Sequence, residues 1–141
     1  MIKSATIAVI PIDVSAAQAW DIIGAVGGVD KWFGEVIKTC EVNGDHRVCG
    51  LGDGQTFDEK IILVDHQNKI LRYDIATQPM IPMSNLSAYM RVLEDANGET
   101  YIEWSGNYDV TPEQKDEVNK MLIGAWQMGV KGIEQYATSL N

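Results

Sequence analysis

The apolar positions change period at Thr111. Before it, they sit in short alternating runs separated by Gly, Asn, Asp and Pro; after it, Val118, Met121, Leu122, Ala125, Trp126, Gly129, Ile133, Tyr136 and Leu140 recur at helical spacing. Alternation by two predicts half-buried strands, and a 3.6-residue period predicts an amphipathic helix. The helical segment opens at Thr111-Pro112 and contains no further proline. At 1.5 Å per residue, a helix of about 28 residues is about 42 Å long, longer than a small domain is wide. Its apolar stripe must bury on the strands, and a sheet that grips so long a helix can leave a hollow beside it.

The earlier runs resolve into seven strands and two short helices. Lys3–Val14 contains the β-rich run Thr6–Ile10, and Pro11 favours a sheet edge or a strand end. Ser15 is a natural N-cap for a helix over Ala16–Ile23 that buries Trp20 and Ile23, and Gly27-Gly28 stops it. Val29–Phe33 predicts a second helical turn. Strands follow over Val36–Val42, His46–Leu51, Thr56–Val64, Ile70–Thr77, Leu86–Leu93 and Thr100–Val110. The turns between them are tight, so the strands are antiparallel. Pro79 and Pro82 make one irregular connection, with Met80, Ile81 and Met83 exposed as a candidate gate.

Alternation assigns inward faces to Phe57, Glu59, Ile61 and Leu63; to Leu71, Tyr73 and Ile75; to Leu86, Ala88, Met90 and Val92; and to Ile102, Trp104, Gly106 and Tyr108. Glu59 is the anomaly, a carboxylate among apolar neighbours. It is either a cavity group poised for chemistry or half of an ion pair, with Lys60 and Arg72 as candidate partners. Gly124, Gly129 and Gly132 each cost a helix about 1 kcal/mol against alanine. They imply either close packing or space left for a ligand.

Composition narrows the classes of function. At 141 residues and 45% apolar content, the chain reads as one domain over 1–141 with enough core to fold unaided. A net charge of −9 with no basic block argues against nucleic acid and anionic membranes as partners. No apolar run is long enough to span a bilayer and no secretory leader is evident, so the expectation is a cytoplasmic protein, monomer or homodimer. With Asn43-Gly44 as a two-residue loop, Cys40 faces Arg47 and lies diagonal to Cys49, beyond disulfide reach, so both are expected as free thiols. His46 and His66 fall at turns and read as solvated. Nothing in the spacing suggests a metal site, a cofactor or a nucleophile triad.

Trp20, Gly27-Gly28, Trp32, Asn43-Gly44, Gly52-Asp53-Gly54, Glu59, Asp65, Tyr73, Pro79 with Pro82, Tyr89 and the run Ile102-Glu103-Trp104-Ser105-Gly106 span almost the whole chain. In this order they resemble the helix-grip (START/Bet v 1-like) superfamily, closest to its bacterial polyketide cyclase/dehydrase-like branch. Asn85-Leu86 departs from the Asn-Tyr often found there, which removes a cavity hydroxyl. The resemblance implies an α+β helix-grip fold: a curved antiparallel sheet of about seven strands around the C-terminal helix. It also brings carriers, receptors and cyclases into view, and three readings stay open. The first is a carrier of a small hydrophobic or aromatic, lipid- or polyketide-like ligand, held among Phe57, Glu59, Tyr73, Met90, Trp104, Tyr108, Met121, Ala125 and Met128. The second is a cyclase or dehydratase using Glu59 as acid/base and Tyr73 or Tyr108 as hydrogen-bond donor. The third is a partner-binding module that uses the acidic surface.

Overall fold

The computed structural model describes residues 1–141. The elements follow the chain as β1 (Ile2–Ile12), α1 (Ala16–Ile23), α2 (Val29–Trp32), β2 (Thr39–Asn43), β3 (His46–Gly50), β4 (Thr56–Asp65), β5 (Ile70–Ile75), β6 (Ser84–Glu94), β7 (Thr100–Val110) and α3 (Lys115–Ser139), with a 3-10 turn at Pro112–Gln114 before α3. The seven strands form one open antiparallel sheet in the order β1-β7-β6-β5-β4-β3-β2. Consecutive strands from β2 to β7 are hairpin neighbours, and β1 closes against β7 at the far side. β1 is therefore an edge, which is where Pro11 can sit without removing a ladder bond.

Ser15 caps α1 with a full capping box: its hydroxyl accepts from the Gln18 amide at 3.1 Å and the Gln18 side chain accepts from the Ser15 amide at 3.0 Å. The buried stripe of α3 consists of Val118, Leu122, Trp126, Gly129, Val130, Ile133 and Ala137, while Leu140 caps the end in solvent. The helix is pinned to the first and last strands through Thr6, whose hydroxyl is 2.7 Å from the Tyr108 hydroxyl and donates to Asn119 Oδ1 at 2.8 Å.

The expected inward sets of β5, β6 and β7 are buried. That of β4 needs a correction. A bulge between Ile61 and Leu63 inserts Ile62, so the alternation flips: Leu63 lies opposite Arg72 and faces out, and Val64 opposite Leu71 takes the inward position. The β2–β3 hairpin is also in a different register. Its loop residues are Gly44 and Asp45, with Gly44 at φ +63°, and Asn43 pairs with His46. Cys40 consequently lies opposite Cys49, not opposite Arg47, and both thiols are free. Strand β2 starts three residues later than the apolar run suggests, because Val36 and Ile37 turn back to the Phe33 carbonyl at 3.0 and 2.8 Å.

Candidate functional site

Between α3 and the sheet lies a cavity of about 410 Å³, in the range of small-molecule sites. Helix α3 supplies Met121, Leu122, Gly124, Ala125, Trp126 and Met128. The sheet supplies Phe57, Glu59, Tyr73, Ile75, Leu86, Met90 and Trp104. Val29, Trp32 and Phe33 come from α2 and its end, and Gln78, Met80, Ile81 and Met83 from the proline-flanked connection. Twenty of the 24 lining residues are hydrophobic, so an occupant meets an almost wholly apolar wall.

The structure thus brings Phe57, Glu59, Tyr73, Met90, Trp104, Met121, Ala125 and Met128 to one cavity. Tyr108 is the exception. It shares the inward face of β7, but its hydroxyl is buried against Thr6 under α3, outside the lining. The three helix glycines divide. A Cβ on Gly132 would collide with the backbone carbonyl of Trp32, so this glycine lets α2 and α3 touch. A Cβ on Gly129 would press on Trp104 at 3.0 Å and Phe33 at 3.1 Å. One on Gly124 would meet nothing within 4 Å. Only Gly124 leaves open space, and it lines the cavity.

Three aromatic rings form the inner wall. Trp104 and Trp126 are stacked, centroids 5.5 Å apart and planes 9° apart, and Trp32 meets Trp104 edge-on at 6.4 Å. The Trp104 indole N–H donates to the Tyr73 hydroxyl at 2.9 Å.

At one end of the cavity Arg47 and Glu59, direct neighbours across β3 and β4, form a bidentate pair. Arg47 Nε donates to Glu59 Oε1 at 2.7 Å and Nη2 to Oε2 at 3.0 Å. Nη1 donates to the Val26 carbonyl at 2.6 Å, and the Cys49 thiol donates to Glu59 Oε1 at 3.1 Å. Val26 is held at φ +68°, an uncommon conformation for a β-branched residue, at the point where Arg47 grasps it. Burial works to lower the Arg47 pKa, but the Glu59 charge and hydrogen bonds reverse this, and the net shift is upward. Burial, reinforced by the Glu59 charge, pushes both the Cys49 thiol and the Tyr73 phenol well above their usual values. The guanidinium also lies over the Tyr73 ring, 5.6 Å from its centroid.

Glu59 therefore faces inward as alternation requires, but its partner is Arg47 rather than Lys60 or Arg72. Both of its oxygens accept hydrogen bonds from the guanidinium, the arrangement of a structural anchor. Arg47 was legible in principle: an inward carboxylate demands a counter-charge, and Arg47 shares its face with Cys49 on the adjacent strand. His66, expected as a solvated turn residue, is exposed but also accepts the Trp20 indole N–H on Nδ1 at 3.1 Å.

The fold agrees with what the chain is similar to. Residues 5–138 match the family described as polyketide cyclase/dehydrase and lipid transport. The chain belongs to this family, within the helix-grip class. Among solved structures, XoxI from Bacillus cereus is 24% identical over 99% of this chain and 98% of its own, with a TM-score of 0.78. A Thermobifida fusca protein is 19% identical over 97% and 95%, with a TM-score of 0.80. Norcoclaurine synthase from Thalictrum flavum, in complex with dopamine and hydroxybenzaldehyde, is 15% identical over 99% and 89%, with a TM-score of 0.76. No curated protein matches the sequence.

Proposed function

We propose that this protein binds a small hydrophobic or aromatic molecule, non-covalently, in the cavity between the sheet and α3. The observation that carries this reading is the chemistry of the wall. Twenty of its 24 residues are hydrophobic, and its two charges, Arg47 and Glu59, neutralise each other. Apolar surface of this kind gains by taking up an apolar guest. Met80, Met83, Met121 and Met128 give the wall adaptable side chains. Family membership supports the same reading, and the aromatic compounds bound by the plant synthase guide the choice of aromatic probes.

Catalysis by Glu59 and Tyr73 is the weaker reading. A general acid must hold a proton it can give, and Glu59 instead accepts from Arg47 on both oxygens. Tyr108, the other candidate donor, is tied to Thr6.

The test is a titration with N-phenyl-1-naphthylamine, a neutral apolar fluorophore, against the native protein and against Ala125→Phe, which fills the cavity from the helix side. The expected result is saturable one-site enhancement that the substitution abolishes while the circular dichroism spectrum is unchanged. Equal binding by both proteins, or none by either, rejects the cavity as the site.

A further inference from the structure

The cavity's polar atoms are almost all committed to one another, and what remains uncommitted defines the ligand. Gln78 lines the cavity, yet its amide is spent on its own loop: Oε1 accepts from the Met80 and Ile81 amides at 2.8 Å each, and Nε2 donates to the Ile81 carbonyl at 2.6 Å. Trp104 gives its N–H to Tyr73. Glu59 accepts two hydrogen bonds from Arg47 and one from Cys49, and each nitrogen of Arg47 has a partner. Tyr73 is different. Its oxygen accepts from Trp104, but its own O–H donates to no protein group, although the residue is 4% exposed. A buried hydroxyl left without an acceptor is costly, and a guest that supplies one recovers that cost. The remaining unspent hydrogens, the second ones on Arg47 Nη1 and Nη2, are donors too.

We propose that the ligand is an uncharged, largely apolar molecule with one hydrogen-bond-accepting oxygen, a ketone, aldehyde, ester or ether, which docks on the Tyr73 hydroxyl. This rests on the cavity being the binding site and goes further by assigning its polarity. Charge supports the assignment. The lining's single cation is already neutralised by its single anion. An incoming carboxylate would have to share Arg47 with Glu59, placing two like charges together in an apolar site. An incoming ammonium would face the guanidinium, and only Glu59 Oε2, which accepts a single hydrogen bond from Arg47, has acceptor capacity left for it. Fatty acids and amines are therefore disfavoured against neutral carbonyl compounds of the same skeleton.

The experiment uses three matched probes, 2-acetylnaphthalene, 2-ethylnaphthalene and 2-naphthoate, titrated by quenching of the tryptophans that line the cavity. In the native protein, 2-acetylnaphthalene is expected to bind about fivefold more tightly than 2-ethylnaphthalene, the size of one net hydrogen bond, and 2-naphthoate is expected to bind most weakly. Tyr73→Phe removes the donor and should erase the gap between the first two probes. In the native complex, which needs no variant to fold, the ketone carbonyl stretch should move to lower frequency. Equal affinity for the ketone and the hydrocarbon, an unshifted carbonyl, a gap that survives in Tyr73→Phe, or preference for the naphthoate each overturns the proposed polarity while leaving the cavity as the site. Failure of all three probes to bind, with N-phenyl-1-naphthylamine also failing, rejects the site itself.

Discussion

Arg47 and Glu59 are 4% and 5% exposed and depend on each other for the loss of water. Removing one partner strands a buried charge, so Glu59→Gln is expected to cost about 3–5 kcal/mol in urea denaturation. Replacing both, as in Arg47→Met with Glu59→Leu, should recover most of that loss, since an apolar pair needs no counter-charge. A single substitution as costly as the double would show that the pair's geometry, not its charge, supports β3 and β4. The Cys49 thiol beside them is buried and bonded to Glu59. Alkylation of the native protein near pH 8 should label half-buried Cys40 and spare Cys49, as peptide mass mapping can report. The raised thiol gives the sign of the alkaline response. Its contribution is complete below the ordinary thiol value of 9.0 and is lost as pH rises beyond it, where the unfolded chain ionises first. At this scale the sequence revealed Glu59 by periodicity alone. Arg47 is harder to read, because it reaches Glu59 from β3 across a hairpin rather than from β4 or β5, and Tyr108 shows that facing inward is not the same as bordering the cavity.

Helix α3 carries its glycines for unlike reasons, and alanine separates them. Gly124→Ala adds a methyl group where nothing lies within 4 Å, so the gain in helix propensity, about 0.5–1 kcal/mol, should appear as added stability. Gly132→Ala drives a methyl group into the Trp32 carbonyl, which cannot swing aside like a side-chain tip. Its expected effect is a loss of about 1–3 kcal/mol, read from the same denaturation curves. If both substitutions shift the midpoint alike, packing between α2 and α3 is not what Gly132 serves. Elements as a class were readable: the bounds of β7 and the buried stripe of α3 follow from period and turn residues, although the expected first turn of the helix is a 3-10 turn at Pro112–Gln114 and α3 begins at Lys115. The β4 bulge and the β2–β3 loop were not, because an inserted residue leaves no mark in composition, and Asn43-Gly44 allows more than one hairpin register.

Across the whole molecule, the strand order was implicit in the tight turns, except for β1. Its placement beside β7 is a long-range pairing that no local pattern encodes. Two carboxylates help to fasten it. Asp109 accepts from Asn85 and pairs with Lys3 at 2.6 Å, and Glu134 on α3 accepts from the Asp13 amide at 2.8 Å. Hydrogen bonds from Asn85 and then Lys3 hold Asp109 below its ordinary 3.8, and the Asp13 amide holds Glu134 below 4.5. Depressed carboxylates stabilise above their unfolded values, and that stability is lost as pH falls through the folded ones. Amide exchange in β1 should therefore accelerate below about pH 4 ahead of the other strands, an effect that Asp109→Asn should blunt. The placement of β1 also sets an order in time. Strands β2 to β7 can zip from one hairpin to the next, whereas Ile2 must find Val110 across most of the chain, so loop-closure entropy delays that step. Ile10→Val, opposite Ile102 in the β1–β7 ladder, should speed unfolding and leave the folding rate almost unchanged. Of the seven strands, the one that precedes the rest would then be the last to join the sheet, and the β7 edge would stay open until β1 returned to cover it.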